Sequence, residues 1–135
     1  MLARLAFAAF LVAHGLIHVS FVAPRPPATA GGPEWPFDLG RSWVLSPLGA
    51  DPSVCRLLGI ALLACTVAAF ALAALATIGV APTAVWAPAV IAGAVASVAL
   101  LGVFFHPWLA LGVVIDVALL WAALVNRWAP DALAS

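Results

Sequence analysis

Lysine and tyrosine are absent from this chain, and charged side chains of any kind are scarce. Arginine and the acidic residues together make up 7% of the 135 residues, and the formal net charge is zero. The chain therefore has no basic patch that would attract a nucleic acid and no charged run that would form a solvated tail. Without tyrosine, tryptophan and phenylalanine are the aromatic residues left for a membrane interface.

Cysteine is also rare, with Cys55 and Cys65 as its two occurrences. Ten helical residues would separate them by about 15 Å, which is well beyond the reach of a disulfide. Their spacing does not match a zinc or redox motif. The sequence contains no glycine-rich phosphate loop and no Ser/His/Asp or Cys/His nucleophile pattern, which favours a role other than catalysis.

Long apolar segments dominate what is present, since hydrophobic residues make up 67% of the chain. A bilayer core about 30 Å thick is crossed by about 20 apolar residues in a helix. Four segments meet this requirement, and we predict helices at about residues 5–23, 53–80, 85–105 and 108–126. The predicted fold class is all-α: one transmembrane domain, residues 1–135, folded as an up-down four-helix bundle. We expect an integral protein of a bacterial cytoplasmic membrane.

Turn residues mark the ends of these helices. The first helix is expected to end at Pro24, while Asp51 is a plausible N-cap for the second, with Pro52 at its first position. The connections at residues 81–84 and 106–108 are short and contain proline, so successive helices are expected to be antiparallel neighbours. Both termini then lie at the same end of the bundle.

The long connection at residues 24–50 is unusual in a chain of this size. Proline and glycine exclude regular structure from its first half, and Trp35, Phe37 and Trp43 follow in its second half. Because aromatic side chains need a surface to bury against, we predict an ordered cap over one end of the bundle. The alternative is a membrane-surface anchor with no site beneath it. Three arginines on the cap side against two on the other leave the orientation open.

Apart from the cysteines and from Arg56 at the start of the second helix, three ionisable side chains interrupt the apolar segments: His14, His18 and Asp116. His14 and His18 are four residues apart, which places them on one helix face. Counting from the cap end at 1.5 Å per residue, His14 and Asp116 both lie at a depth of about 15 Å. Ionisable residues at such depth normally face the bundle interior or a cavity. We therefore predict one polar pocket, open towards the cap.

Further residues of the cap side are expected to complete the pocket. Arg56 begins the second helix and His106 lies in the last turn, while the cap contributes Glu34 and Trp35. The full set of predicted ligand-binding residues is His14, His18, Asp116, Arg56, Trp35, Glu34 and His106.

Three functions compete for this pocket. The pair His14 and His18 has the spacing of a metal site on one helix, and a metal or haem cofactor would make the chain a redox component. A small amphiphile, such as a lipid, quinone or sterol-like molecule, is the second possibility, with the polar residues orienting its head group. In the third, the polar residues bond to one another and the chain is a structural subunit of a larger membrane complex. A proton relay would use the same residue types.

The segment from Arg4 to Gly15 has an arginine at its start and a His-Gly pair at mid-membrane depth. In this it resembles the start of DoxX-like four-helix membrane proteins, and the resemblance carries over Arg4, His14 and Gly15. It departs from the family pattern at His18, near which that pattern often has a lysine. The resemblance implies a four-helix membrane fold and an accessory role, with some relatives linked to redox partners.

Overall fold

The computed structural model describes residues 1–25, 27, 30–32 and 35–133, and over these residues the chain has four α-helices and no strand. The helices are α1 Leu2–Ile17, α2 Pro52–Thr77, α3 Trp86–Val103 and α4 Ala110–Leu124. A 3₁₀ turn extends α1 to Phe21, and similar turns precede α3 and α4. With these turns, all four elements are long and apolar enough to cross a membrane, which fits an integral membrane protein.

The helix ends differ slightly from the predicted ones. Helix α1 begins at Leu2, before Arg4, rather than near residue 5. Helix α2 ends at Thr77 rather than near residue 80, since Gly79 adopts a positive φ of 82°. This left-handed backbone conformation is a common way of ending a helix, and it turns the chain towards α3.

Consecutive helices form the closely packed pairs: α1 with α2, α2 with α3, and α3 with α4. Glycines allow this close approach around the buried ring of Phe70. A Cβ atom on Gly15 of α1 would lie 3.2 Å from the Cβ atom of Phe70, and one on Gly93 of α3 would lie 3.2 Å from its Cδ1 atom. Small residues at such contacts bring helix backbones together in an apolar environment. In the described chain, α1 and α4 are not among the closely packed pairs.

The first and last described segments of the chain lie at the same end of the molecule. The Nη2 atom of Arg4 donates to Oδ1 of Asp131 at 2.9 Å. Beside this ion pair, the ring of Trp128 packs edge-on against Phe7 and Trp86, with ring centroids 5.1 and 5.0 Å away. These contacts hold the C-terminal segment against the beginnings of α1 and α3.

The described second half of the long connection packs over the opposite end. Leu39 is only 3% exposed and belongs to an apolar cluster with Phe21 and Phe104. Its Cδ2 atom would lie 2.5 Å from a Cβ atom on Gly59, so the missing side chain at this position of α2 makes room for it. Leu39 is thus the apolar anchor of the cap, by which we mean residues 35–50.

Two hydrogen bonds fix the cap to the end of α3. The hydroxyl of Ser42 donates to the carbonyl oxygen of Val103 at 2.6 Å, and the indole Nε1 of Trp43 donates to that of Gly102 at 2.7 Å. The last carbonyls of a helix have no partner within the helix. The cap therefore satisfies backbone groups that α3 leaves open.

Candidate functional site

A buried histidine and a buried aspartate join the first and last helices. The Nε2 atom of His14 lies 2.7 Å from Oδ1 of Asp116. His14 is 6% exposed and Asp116 is fully buried. In such surroundings a hydrogen bond contributes more to stability than it does in water, because water does not compete for either partner.

Ser97 of α3 connects this pair to the second histidine. Its hydroxyl oxygen lies 2.5 Å from Oδ2 of Asp116 and 2.8 Å from Nε2 of His18. Both Ser97 and His18 are buried. The four residues His14, Asp116, Ser97 and His18, which we name the polar network, therefore connect α1, α3 and α4.

The change from α-helix to 3₁₀ turn at the end of α1 completes the polar network. In a regular helix, the backbone N–H of His18 would donate to the carbonyl of His14. It donates instead to the carbonyls of Gly15 and Leu16, which leaves the His14 carbonyl free. The Nδ1 atom of His18 lies 2.9 Å from that oxygen. The four-residue spacing of the histidines thus allows one ring to bind the backbone of the other.

Aromatic rings surround His14 on two sides. The ring of Phe10 stacks on it with centroids 6.1 Å apart, and the ring of Phe70 meets it edge-on at 5.1 Å. These neighbours cover two sides of the His14 ring and offer it no competing hydrogen bond.

A cleft of about 160 Å³ opens between α1 and α4 on the cap side of the His14–Asp116 contact. It is mostly apolar, and the two histidines of the polar network form part of its wall. Its other lining residues include Ile17, Phe21, Phe37, Trp108, Leu111 and Ile115. A second apolar cleft of about 330 Å³ lies between the same helices towards the chain termini and shares Ile115. The groove between α1 and α4 is therefore bridged by the His14–Asp116 contact.

A larger and more polar cavity, of about 680 Å³, lies under the cap. Trp35 and His106 line it, together with Arg25, Asp38 and Arg41. None of these side chains belongs to the polar network, and the ring of Phe37 packs between Trp35 and Phe21. The single pocket predicted from the sequence thus corresponds to two spaces, the cavity under the cap and the cleft between α1 and α4.

The remaining predicted residues lie elsewhere. Arg56 is exposed on α2 and lines neither space. Glu34 lies outside the described residues. His106 has a local role as well, since its Nδ1 atom accepts a hydrogen bond of 3.3 Å from the backbone N–H of Trp108 before α4.

The predicted metal site gains no support from these contacts. Within the described residues, no group of three His, Cys, Asp or Glu side chains is placed to hold a metal ion. Both ring nitrogens of His18 have protein partners, and Nε2 of His14 is bonded to Asp116. The geometry does not assign either histidine as a ligand, and the metal or haem alternative stays a prediction.

Sequence reasoning missed Ser97 as a functional residue. Gly93 and Ser97, four residues apart on α3, have the spacing of small residues that permit close helix packing. Gly93 fits this role, because a Cβ atom there would lie 3.2 Å from the Phe70 ring. A signal for Ser97 was present in the sequence, since it is the single hydroxyl residue of α3. Arg25 and Arg41, which line the cavity under the cap, were likewise not assigned to a site.

Comparison with known protein families, with curated proteins and with solved structures finds no match for this chain. The resemblance of the first helix to DoxX-like proteins therefore stays a prediction.

Proposed function

We propose that this chain is an integral membrane protein that binds a small, uncharged, hydroxyl-bearing amphiphile in the cleft between α1 and α4. In this proposal the four helices form an up-down bundle in a bacterial cytoplasmic membrane, with the cap at one surface and both termini at the other. Four helices of sufficient length and apolarity support the membrane location. The chain binds its ligand without catalysing a reaction.

The observation that carries this proposal is the position of the cleft against the polar network. Its walls are aliphatic and aromatic, and His14 and His18 are its ionisable lining residues. Largely apolar walls with a few polar groups are typical of a site for a small organic molecule. At about 160 Å³ the cleft is smaller than most such sites, so it accommodates only part of an amphiphile. Because α1 and α4 are not closely packed in the described chain, the cleft is accessible from the side, where lipid would surround the helices.

Hydrogen-bond chemistry narrows the class of ligand. Of the four ring nitrogens of His14 and His18, Nδ1 of His14 is the one without a partner among the described residues. When Nε2–H of His14 donates to Asp116, Nδ1 of the neutral ring is an acceptor. It therefore suits a ligand hydroxyl, as in a quinol, a sterol-like alcohol or a diacylglycerol-type lipid. A charged head group would find no counter-charge among the residues that line the cleft.

The DoxX-like resemblance is compatible with this role. Gly15, one of the residues that carry it, permits the close packing of α1 against Phe70. A Cβ atom there would lie 3.2 Å from the Cβ atom of Phe70, so a side chain at this position would push α1 and α2 apart by a few tenths of an ångström. Such a shift would move His14 away from Asp116. An accessory membrane protein of that type would present its bound amphiphile to a partner in the same bilayer.

The experiment compares two tryptophan substitutions on α4. Leu111 lines the cleft and is 70% exposed, whereas Val114 is 63% exposed and does not line it. Because both positions are exposed, Leu111→Trp and Val114→Trp are expected to fold equally well. The proteins would be extracted in lipid nanodiscs, and their organic extracts would be measured by mass spectrometry. Absorption and metal content of the same samples test the metal and haem alternative.

We expect wild type and Val114→Trp to carry the same amphiphile in a fixed ratio to protein, and Leu111→Trp to lose most of it. Equal retention by the two variants would exclude the cleft as the binding site. A sample that carries other protein chains but no enriched amphiphile would instead favour a structural subunit of a larger complex.

A further inference from the structure

The polar network contains more hydrogen-bond contacts than its neutral histidines and an ionised aspartate can supply with hydrogens. The His14 carbonyl can only accept, so the contact with Nδ1 of His18 requires the hydrogen on that nitrogen. In a neutral His18 ring, Nε2 is then an acceptor. Its contact with Ser97 must use the hydroxyl hydrogen of the serine.

The same hydroxyl hydrogen is required a second time. An ionised Asp116 is an acceptor at both oxygens, so the contact between Oδ2 and Ser97 also needs a hydrogen from the serine. Ser97 has one hydrogen for two acceptors. The contact between His14 and Asp116 does not relieve this shortage, because it uses Nε2–H of His14 and the other carboxylate oxygen.

We propose that the polar network is a binding site for one proton, and that Ser97 relays this proton between Asp116 and His18. In the first form, the carboxylic acid of Asp116 donates from Oδ2 to Ser97, and Ser97 donates to Nε2 of a neutral His18. In the second form, the imidazolium of His18 donates from Nε2 to Ser97, and Ser97 donates to the carboxylate of Asp116. The forms interconvert when Asp116 passes a proton to the Ser97 oxygen while Ser97 passes its own to His18. No proton is gained or lost.

Both forms are electrically neutral over the whole polar network. Without the bound proton, the network would carry one negative charge and one contact between two acceptors. An uncompensated charge is costly at a site enclosed by Phe10 and Phe70. The proton satisfies all four contacts and removes the charge at once.

Other ionisable groups do not compensate this charge. On α1 and α4 the groups that face the polar network are its own His14, His18 and Asp116, and α3 contributes the uncharged Ser97. The ionisable residues of α2 are Cys55, in the apolar cluster beneath the cap, and the exposed Arg56 and Cys65. Arg25, Asp38, Arg41 and His106 line the separate cavity under the cap. The inference does not depend on any ligand in the cleft.

Nuclear magnetic resonance tests the proposal, because the chain has only three histidines and four aspartates. The full-length protein would be labelled with ¹⁵N in its histidine rings and ¹³C in its aspartate carboxyls and placed in nanodiscs at neutral pH. His106→Gln and His14→Gln assign the histidine signals, and Asp116→Asn assigns the carboxyl signal. We expect His18 to be protonated at Nδ1, together with either a protonated Asp116 or a doubly protonated His18.

Three results would overturn the bound proton: an ionised Asp116 beside two neutral histidines, a neutral His18 with its hydrogen on Nε2, or a doubly protonated His14. Ser97→Ala then tests the relay, since it removes one oxygen atom and is expected to fold. In wild type at neutral pH, rapid exchange between the two forms should give Asp116 and His18 signals between their protonated and unprotonated values. In Ser97→Ala each residue should show one fixed protonation state, and intermediate signals that persist in this variant would exclude Ser97 as the relay.

Discussion

The Nε2 atom of His14 lies 2.7 Å from Oδ1 of Asp116, although 102 positions separate the two residues in the sequence. This contact joins α1 to α4, which are not closely packed in the described chain. The cleft on its cap side is lined mostly by apolar side chains. Two buried polar residues thus join the first and last helices beside this cleft.

Substitutions of Asp116 should differ according to whether they preserve its hydrogen bonds. Asp116→Leu leaves the His14 ring N–H without an acceptor, at about 1–3 kcal/mol for a buried unsatisfied group. It also removes the carboxyl that contacts the Ser97 oxygen. In Asp116→Asn, the amide oxygen accepts from His14 and the amide N–H donates to Ser97, as a protonated aspartate would. We expect a clearly smaller loss of unfolding free energy for Asn than for Leu. Thermal unfolding in a mild detergent measures both, and an equal loss would show that these bonds do not hold the fold.

The cap should detach when Leu39 is displaced from α2. A Cβ atom on Gly59 would lie 2.5 Å from Leu39, whereas one on Gly102 would meet nothing within 4 Å. Inserting atoms into a packed site typically costs about 1–3 kcal/mol. Gly59→Val should therefore speed tryptic cleavage after Arg41, which lies in the cap, while the control Gly102→Val should be cleaved like wild type. Identical rates for all three proteins would mean that Leu39 does not anchor the cap.

The start of α2 should weaken in acid. The Oδ1 atom of Asp51 accepts a hydrogen bond of 2.8 Å from the backbone N–H of Ser53. Hydrogen bonds from the side chain and backbone of Ser53 hold the pKa of the Asp51 carboxyl below its usual range. A lowered pKa stabilises the folded state above the ordinary aspartate pKa, and this contribution is lost as the pH falls through the lowered value. Asp51→Ala should lack this stabilisation of the folded state at every pH.

Asp51→Asn is the matched control for this prediction, since asparagine caps helices without a charge. At neutral pH its melting temperature should lie near that of wild type. As the pH is lowered, its melting temperature should fall less than that of wild type, because the titrating carboxyl of Asp51 is absent. If Asp51→Ala and wild type respond to acid in parallel, the carboxyl does not contribute to the pH dependence.

The apolar composition was sufficient to predict the four helices, because the hydropathy of residues in a helix depends on the local sequence alone. The spacing of His14 and His18 and the equal depth of His14 and Asp116 predicted which polar residues lie at one level of the fold. Their pairing could not be derived, since it depends on how α1 and α4 are rotated about their axes. The structure supplies that rotation and brings Nε2 of His14 to the carboxyl of Asp116.

Ser97 and Arg56 show where sequence reasoning was insufficient. A serine in an alanine-rich helix fits close packing as well as hydrogen bonding, and only the positions of three helices distinguish the two roles. Arg56 lies at the level of the cap, but its side chain is exposed, and a depth estimate says nothing about direction. The division into a cleft and a cavity likewise depends on Phe37, whose place between Phe21 and Trp35 is set by the path of the cap.

A double-mutant cycle on His14 and Asp116 measures directly whether this contact joins the two helices. The unfolding free energy would be determined for His14→Leu, Asp116→Leu and the double variant. Removing one partner leaves the other buried without its hydrogen bond, whereas replacing both with apolar side chains relieves that penalty. The double variant should therefore be more stable than the sum of the single losses predicts, by about 1 kcal/mol or more. Strictly additive losses would contradict the contact and the bridged cleft that depends on it.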